Sequence, residues 1–270
     1  MSSAIRGRNM NRRTLVSIGF ALPFAVGALA FALVLAQPAR TASQDLPDLA
    51  MARLADFDIV SSGGQLQLRF SATIVNVGQG PFELSASRPD PASAFSVVQK
   101  VYGSAGPVDG AVPGAQLVWG GDGHNHWHVR DLETYELDRL DNGVKVGMGM
   151  KSGFCFFDTT AFNLSLPGAP ANAVYTPGTV CGQNNLNASS LRMGISVGWG
   201  DRYGATLRDQ YIDVTALTSG NYRLTAIADL AGQFSEARED NNETWVDMKL
   251  TISKGKGGSK VRVIGYGPTP

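Results

Sequence analysis

The chain contains three histidines, and all of them fall within five residues: His124, His126 and His128 of the segment His-Asn-His-Trp-His. The spacing i, i+2, i+4 matches the side-chain period of a β-strand. On one strand the three imidazoles would therefore leave the same face. Three neutral ring nitrogens on one face can hold a single ion of zinc, copper, iron or nickel. The flanking residues, through to Leu137, read as an ordered strand, which sets this cluster apart from a solvated His-rich tract. Two further residues with possible chemistry are Cys155 and Cys181, the only cysteines.

The elements that must position these residues are short strands. Gln65–Val77 alternates apolar and polar residues for much of its length, as a half-buried strand does. Similar runs recur at Phe95–Tyr102, Gln116–Trp119, His124–Leu137, Val144–Met150, Gln210–Val214, Tyr222–Ala228 and Thr244–Ile252. Gly63-Gly64, Gly78-Gln79-Gly80-Pro81, Asp141-Asn142-Gly143 and Ser219-Gly220-Asn221 separate them as turns. No helical period is sustained beyond residue 44, so the pattern predicts an all-β fold, an antiparallel β-sandwich with long loops. The stretch Leu166–Asn187, rich in Ala, Pro, Gly and Asn, reads as a long loop.

The N-terminus reads differently. Arg6, Arg8, Arg12 and Arg13 precede an uncharged run from Leu15 to Ala36. A basic segment followed by an apolar helix is an export signal, and the run is also long enough to stay as a membrane anchor. The adjacent arginines loosely fit a twin-arginine signal, and the rest of the chain is expected outside the membrane. The predicted organisation is 1–44 for the basic segment, signal or anchor and linker, 45–252 for the functional domain, and 253–270 for a Gly/Lys-rich tail. Export makes a Cys155–Cys181 disulfide the default reading, with Cys155 as a metal ligand the alternative. Lys plus Arg and Asp plus Glu both number 23, and no basic stripe marks the body of the chain, so nucleic acid is not an expected partner.

Four segments, in this order, resemble the catalytic domain of the lysyl oxidases, copper-dependent protein-lysine oxidases. They are the His-x-His-x-His motif at 124–128, Lys151-Ser-Gly-Phe-Cys155, Asp201-Arg-Tyr203-Gly-Ala205 followed by Gln210-Tyr-Ile-Asp-Val-Thr215, and Gly220-Asn-Tyr222 with Glu236 and Asn241-Asn242. The resemblance covers roughly Leu46 to Ile252. It implies copper(II) on His124, His126 and His128, and a lysine tyrosylquinone cofactor built from Lys151 and Tyr203. It also implies oxidation of primary amines or protein lysines to aldehydes by O2, with release of hydrogen peroxide and ammonia. A lysine amine adds to a quinone only when neutral, a state that a low-dielectric site favours. Asp131, Asp201 and Asp213 are candidates for the base that takes the substrate's α-proton or for contacts that orient a ligand histidine, with Asp131 placed where the family also has an acid. The chain has a single possible cysteine pair, against several disulfides in animal members, so collagen and elastin are not implied as substrates. The membrane is expected as a partner only through the N-terminal segment. Two other readings use the same histidines: a non-catalytic copper-binding or cell-surface adhesion sandwich, and a zinc hydrolase with an open coordination position.

Overall fold

The computed structural model describes residues 43–120, 124–253 and 258–270. The expected signal or anchor helix lies outside them. Among the described residues there is no helix, and strands follow one another along the chain. β1 (Gln44–Asp45), β2 (Leu49–Met51), β3 (Ala55–Ser62) and β4 (Gln65–Asn76) come first. The β3–β4 turn is made by Gly63 and Gly64, both at positive φ, which a side chain would oppose. A meander of β5 (Phe82–Ser87), β6 (Ser96–Gly103) and β7 (Val108–Ala111) follows. Next are β8 (Leu117–Trp119), β9 (Trp127–Arg130), β10 (Glu133–Arg139), β11 (Lys145–Met148), β12 (Gly153–Phe154) and β13 (Thr160–Ala161). Residues 162–189 form the predicted long loop without a strand. The chain then runs through β14 (Ser190–Ile195), β15 (Trp199–Tyr203), β16 (Tyr211–Asp213), β17 (Gly220–Ala228), β18 (Glu243–Thr251) and β19 (Lys260–Tyr266).

All the ladders are antiparallel, as expected. β4 organises one layer: its first half pairs with β3 and β16, its second half with β2 and β15. The facing sheet has the order β11-β10-β17-β18-β19. Leu68, Phe70, Ala72 and Ile74 of β4 and Tyr135, Leu137, Leu224, Val246, Met248 and Leu250 of the facing sheet belong to one buried core. The two layers meet edge-to-face where the Phe70 and Tyr135 rings lie 5.0 Å apart. β18 shows the sequence logic plainly, with Thr244, Val246, Met248 and Leu250 buried and the residues between them half-buried or exposed. A further sheet joins β1, β6, β5 and β14, with β7 on β6, and the site is supported by a small three-stranded sheet, β12-β9-β8.

Two expectations are corrected. The run His124–Leu137 is not one strand: β9 starts only at Trp127, and the run breaks at Asp131, whose φ of 57° lies in the left-handed region. The segment read as a tail, 253–270, carries β19, which pairs with β18 from Thr251↔Lys260 to Val246↔Tyr266. Val261 and Val263 of that strand pack against the core. The Gly/Lys-rich composition just before it hid a short alternating strand.

Candidate functional site

Only His128 of the three histidines lies on a strand. His124 and His126 precede β9 in an irregular segment. Their ring nitrogens nevertheless converge, with one ligand atom from each within 4.8 Å of the others. Backbone clamps shape this segment from both sides. Gly120 N–H donates to the His126 carbonyl at 2.8 Å, Trp127 N–H to the Cys181 carbonyl at 2.9 Å, and Asn184 N–H to the Asn125 carbonyl at 2.6 Å. The Gln183 side-chain oxygen sits 3.2 Å from His126 Nδ1, a contact that orients the ring and leaves Nε2 for a metal. The Cys155–Cys181 disulfide forms as expected. It ties the end of β12 to the very loop that holds the histidine segment, so both cysteines act structurally.

Lys151 reaches the same place from another sheet. Gly149 bridges to Ile212, and Met150 N–H donates to the Tyr211 carbonyl at 3.0 Å, so the backbone enters the space between the layers before turning into β12. Lys151 is buried, and its Nζ lies 5.2 Å from the Tyr203 ring centroid and 5.4 Å from that of Phe154. Tyr203 ends β15, where the period of two turns Asp201 and Tyr203 inward and leaves Arg202 exposed. The Phe154 ring meets Tyr203 edge-to-face at 5.0 Å. The Tyr203 hydroxyl donates to the Cys155 carbonyl at 3.0 Å, which fixes the ring's orientation. Burial first, then the negative charge of Asp201, pushes its ionisation well above the ordinary tyrosine range. A cavity of about 200 Å³ is lined by all three histidines together with Lys151, Asp201 and Tyr203.

The acids separate cleanly. Asp201 faces this cavity; burial raises its carboxyl to about 7, although Tyr203, Thr159, the Phe157 backbone and Lys151 pull the other way. Asp131 is exposed and lines a different cavity, so it does not join Tyr203 and the histidines. Asp213 closes a turn, accepting from Thr215 N–H and Oγ1 and from Gln65 Nε2. Glu133 was not singled out by sequence reasoning. It is fully buried, its Oε2 accepts from the Tyr135 hydroxyl at 2.6 Å, and burial raises it to about 8. Its signal in the sequence is a lone acid in the alternation Glu133-Thr-Tyr135-Glu-Leu137, on the side of the buried Tyr and Leu.

A family model described as lysyl oxidase matches residues 110–256, which include all three histidines, Lys151, both cysteines and Tyr203. The chain belongs to the lysyl oxidase family. It is 26% identical over 185 residues to lysyl oxidase homolog 3 of Homo sapiens, which covers 67% of this chain and 18% of that protein. Against lysyl oxidase homolog 2 of Gallus gallus the identity is 29% over 184 residues, 68% of this chain and 18% of the relative. Against lysyl oxidase homolog 1 of Homo sapiens it is 31% over 105 residues, 37% of this chain and 15% of the relative. The chain thus spans less than a fifth of the length of these curated relatives. Within the lysyl oxidase match lie β8 to β18, the strands that build the cavity, whereas β1 to β6 precede it.

Proposed function

We propose that this lysyl oxidase family member is a copper- and quinone-dependent amine oxidase. It would convert primary amines, lysine side chains or small amines, to aldehydes with O2, releasing hydrogen peroxide and ammonia. The observation that carries this reading is the approach of Lys151 Nζ to 5.2 Å from the Tyr203 ring centroid, in a cavity that three histidines share.

The donor set fits copper. Three imidazole nitrogens within 4.8 Å of one another, without a carboxylate among them, suit a borderline ion better than a hard one. Copper bound there supplies the redox chemistry with O2 by which a tyrosine ring becomes a quinone. The other steps fall to the chain's own residues. The Cys155 carbonyl and the Phe154 edge hold the Tyr203 ring in one orientation, and Lys151 brings its amine to the ring, the pair of residues from which lysine tyrosylquinone forms. Asp201, facing the cavity from the same strand as Tyr203, is placed to take the α-proton of a bound amine, and a carboxyl raised to about 7 suits a base working near neutrality. Burial of Tyr203 keeps bulk water from the ring. An exported protein, secreted or held at the outer face of the cytoplasmic membrane by its N-terminal segment, accords with the disulfide. A zinc hydrolase could use the same histidines, but it gives the Lys151–Tyr203 approach no task.

The test is chemical. Copper-loaded protein is expected to stain for a redox-cycling quinone and to yield, on proteolysis, one cross-linked species joining the peptides of Lys151 and Tyr203. Absence of both from fully loaded protein would end this reading.

A further inference from the structure

The histidine-lined cavity and a second one share Lys151, and each has a buried carboxyl in its lining. Glu133 Oε1, Asp201 Oδ2 and both side-chain polar atoms of Gln210 are buried and meet no hydrogen-bond partner in the protein. Such groups are rare, and three on adjoining side chains call for a shared role. Lys151 lines both cavities: Asp201 is its neighbour in one, Glu133 in the other, a space of about 360 Å³ with the exposed Asp131 among its lining residues. The carboxylates feel one another and one cation, since the charge of Asp201 raises Glu133 while Lys151 lowers both. The groups around Glu133 are Tyr135 on its own strand, Lys151 from the segment after β11, and Asp201 from β15.

We propose that Asp201 and Glu133 form a two-carboxyl proton relay that carries the substrate's α-proton from the histidine-lined cavity to the cavity beneath Asp131. The relay rests on the amine oxidase reading. The amine's Cα–H bond breaks, its electron pair goes to the oxidised cofactor, and the proton goes to the Asp201 carboxylate. With the resting proton on Glu133, Glu133 first releases that proton to solvent on the Asp131 side, and Asp201 then passes the proton it has taken to the vacated Glu133 carboxylate, which restores the one-proton pair. The pair holds one shared proton at rest, so no second negative charge is buried beside it. Gln210, whose side-chain polar atoms are also buried, adjoins Tyr135, the hydroxyl that donates to Glu133. Glu133 acts only through Asp201 and is a positioning residue for its proton.

The first experiment needs neither copper nor turnover. In the metal-free protein, infrared spectra across pH are expected to show protonated carboxyl bands persisting to neutral pH. Glu133→Gln should remove one, and Asp201→Asn should lower the pH at which the Glu133 band disappears. Independent titration of the two bands, or full ionisation of both well below neutrality, would overturn the relay. The second uses copper-loaded protein with its quinone quantified. Glu133→Gln is expected to lower kcat by roughly tenfold or more at unchanged KM and quinone content, with an altered pH profile and a larger solvent isotope effect. Should Glu133→Gln fold poorly, Tyr135→Phe, which frees the other Glu133 oxygen, is expected to shift the same infrared band. Native kcat and pH profile in a quinone-containing Glu133 variant would also refute the proposal. A native protein that makes no quinone would defeat the amine oxidase reading instead, while the infrared arm still decides on the shared proton.

Discussion

At the scale of single residues, the site depends on which acid faces Tyr203. The left-handed backbone at Asp131 turns the chain out to solvent and swings Glu133 inward, whereas Asp201 sits two residues before Tyr203 on the same strand face. Asp201→Asn is therefore expected to lower kcat by roughly 10²-fold or more, the usual loss for a missing general base. Asp131→Asn should change it by no more than a few-fold. Equal losses in steady-state assays of the two variants would show that the base has been misplaced. Tyr203→Phe makes a second test at this scale. The phenyl ring keeps its edge-to-face contact with Phe154, and the lost hydroxyl leaves the Cys155 carbonyl without a donor, a cost of about 1–2 kcal/mol. Folded protein with native copper content but no quinone stain is the expected result; a persisting stain would mean that another residue supplies the ring.

At the scale of elements, the histidines are positioned by chain segments rather than by a strand. The loop from Cys181 to Asn184 grips Asn125, His126 and Trp127, and the disulfide fixes that loop to β12. Replacing both cysteines by alanine removes a cross-link across a separation of 26 residues, about 3.5 kcal/mol in the chain-entropy model. It is also expected to weaken copper binding, because His126 loses its backing. Calorimetry and metal titration on the double variant check both; unchanged affinity would show that the loop holds its shape unaided. Gly120 is a sharper probe. A Cβ there would lie 2.9 Å from the His124 carbonyl oxygen and 2.9 Å from His128 Cε1, so Gly120→Ala must displace the cluster and should cut copper affinity with little effect on the distant core. The alternation in β4, β17 and β18 made the sandwich legible, because each strand has one face in the core. The His-x-His-x-His spacing pointed to a cluster whose rings do converge, but for a partly mistaken reason, since two of the three come from an irregular segment. Glu133 stayed hidden because the parity of its strand is set by the break at Asp131, and positive φ at an aspartate leaves no local signature. The last strand stayed hidden behind a Gly/Lys-rich stretch whose composition outweighed the alternation of Lys260–Tyr266.

At the scale of the whole molecule, buried carboxyls set the direction in which stability responds to pH. Burial raises Glu133 to about 8, Asp201 to about 7 and Glu236 to about 8. Each binds its proton more tightly in the folded state than in the unfolded chain, where ordinary carboxyl values apply. Their contribution is complete below about pH 4 and declines as pH rises toward 8. Glu83 works in the opposite sense: burial pushes it up, but Arg192, Tyr175 and Tyr102 together hold it below its ordinary value, so its contribution fades only in acid. The windows do not overlap, and the metal-free protein is expected to be most stable in mildly acidic solution. The Tm of the metal-free protein is accordingly expected to be lower at pH 8 than at pH 5.5. Glu236→Gln separates this from events at the site, because Glu236 accepts from Leu49 N–H and from Asn242, on β2 and beside β18, away from the residues that line the histidine cavity. The variant should flatten part of the slope while leaving copper binding intact. A Tm that stays level or rises from pH 5.5 to 8 in calorimetry of the metal-free protein would mean that these carboxyls are ionised in the folded state, and that solvent reaches what the fold encloses.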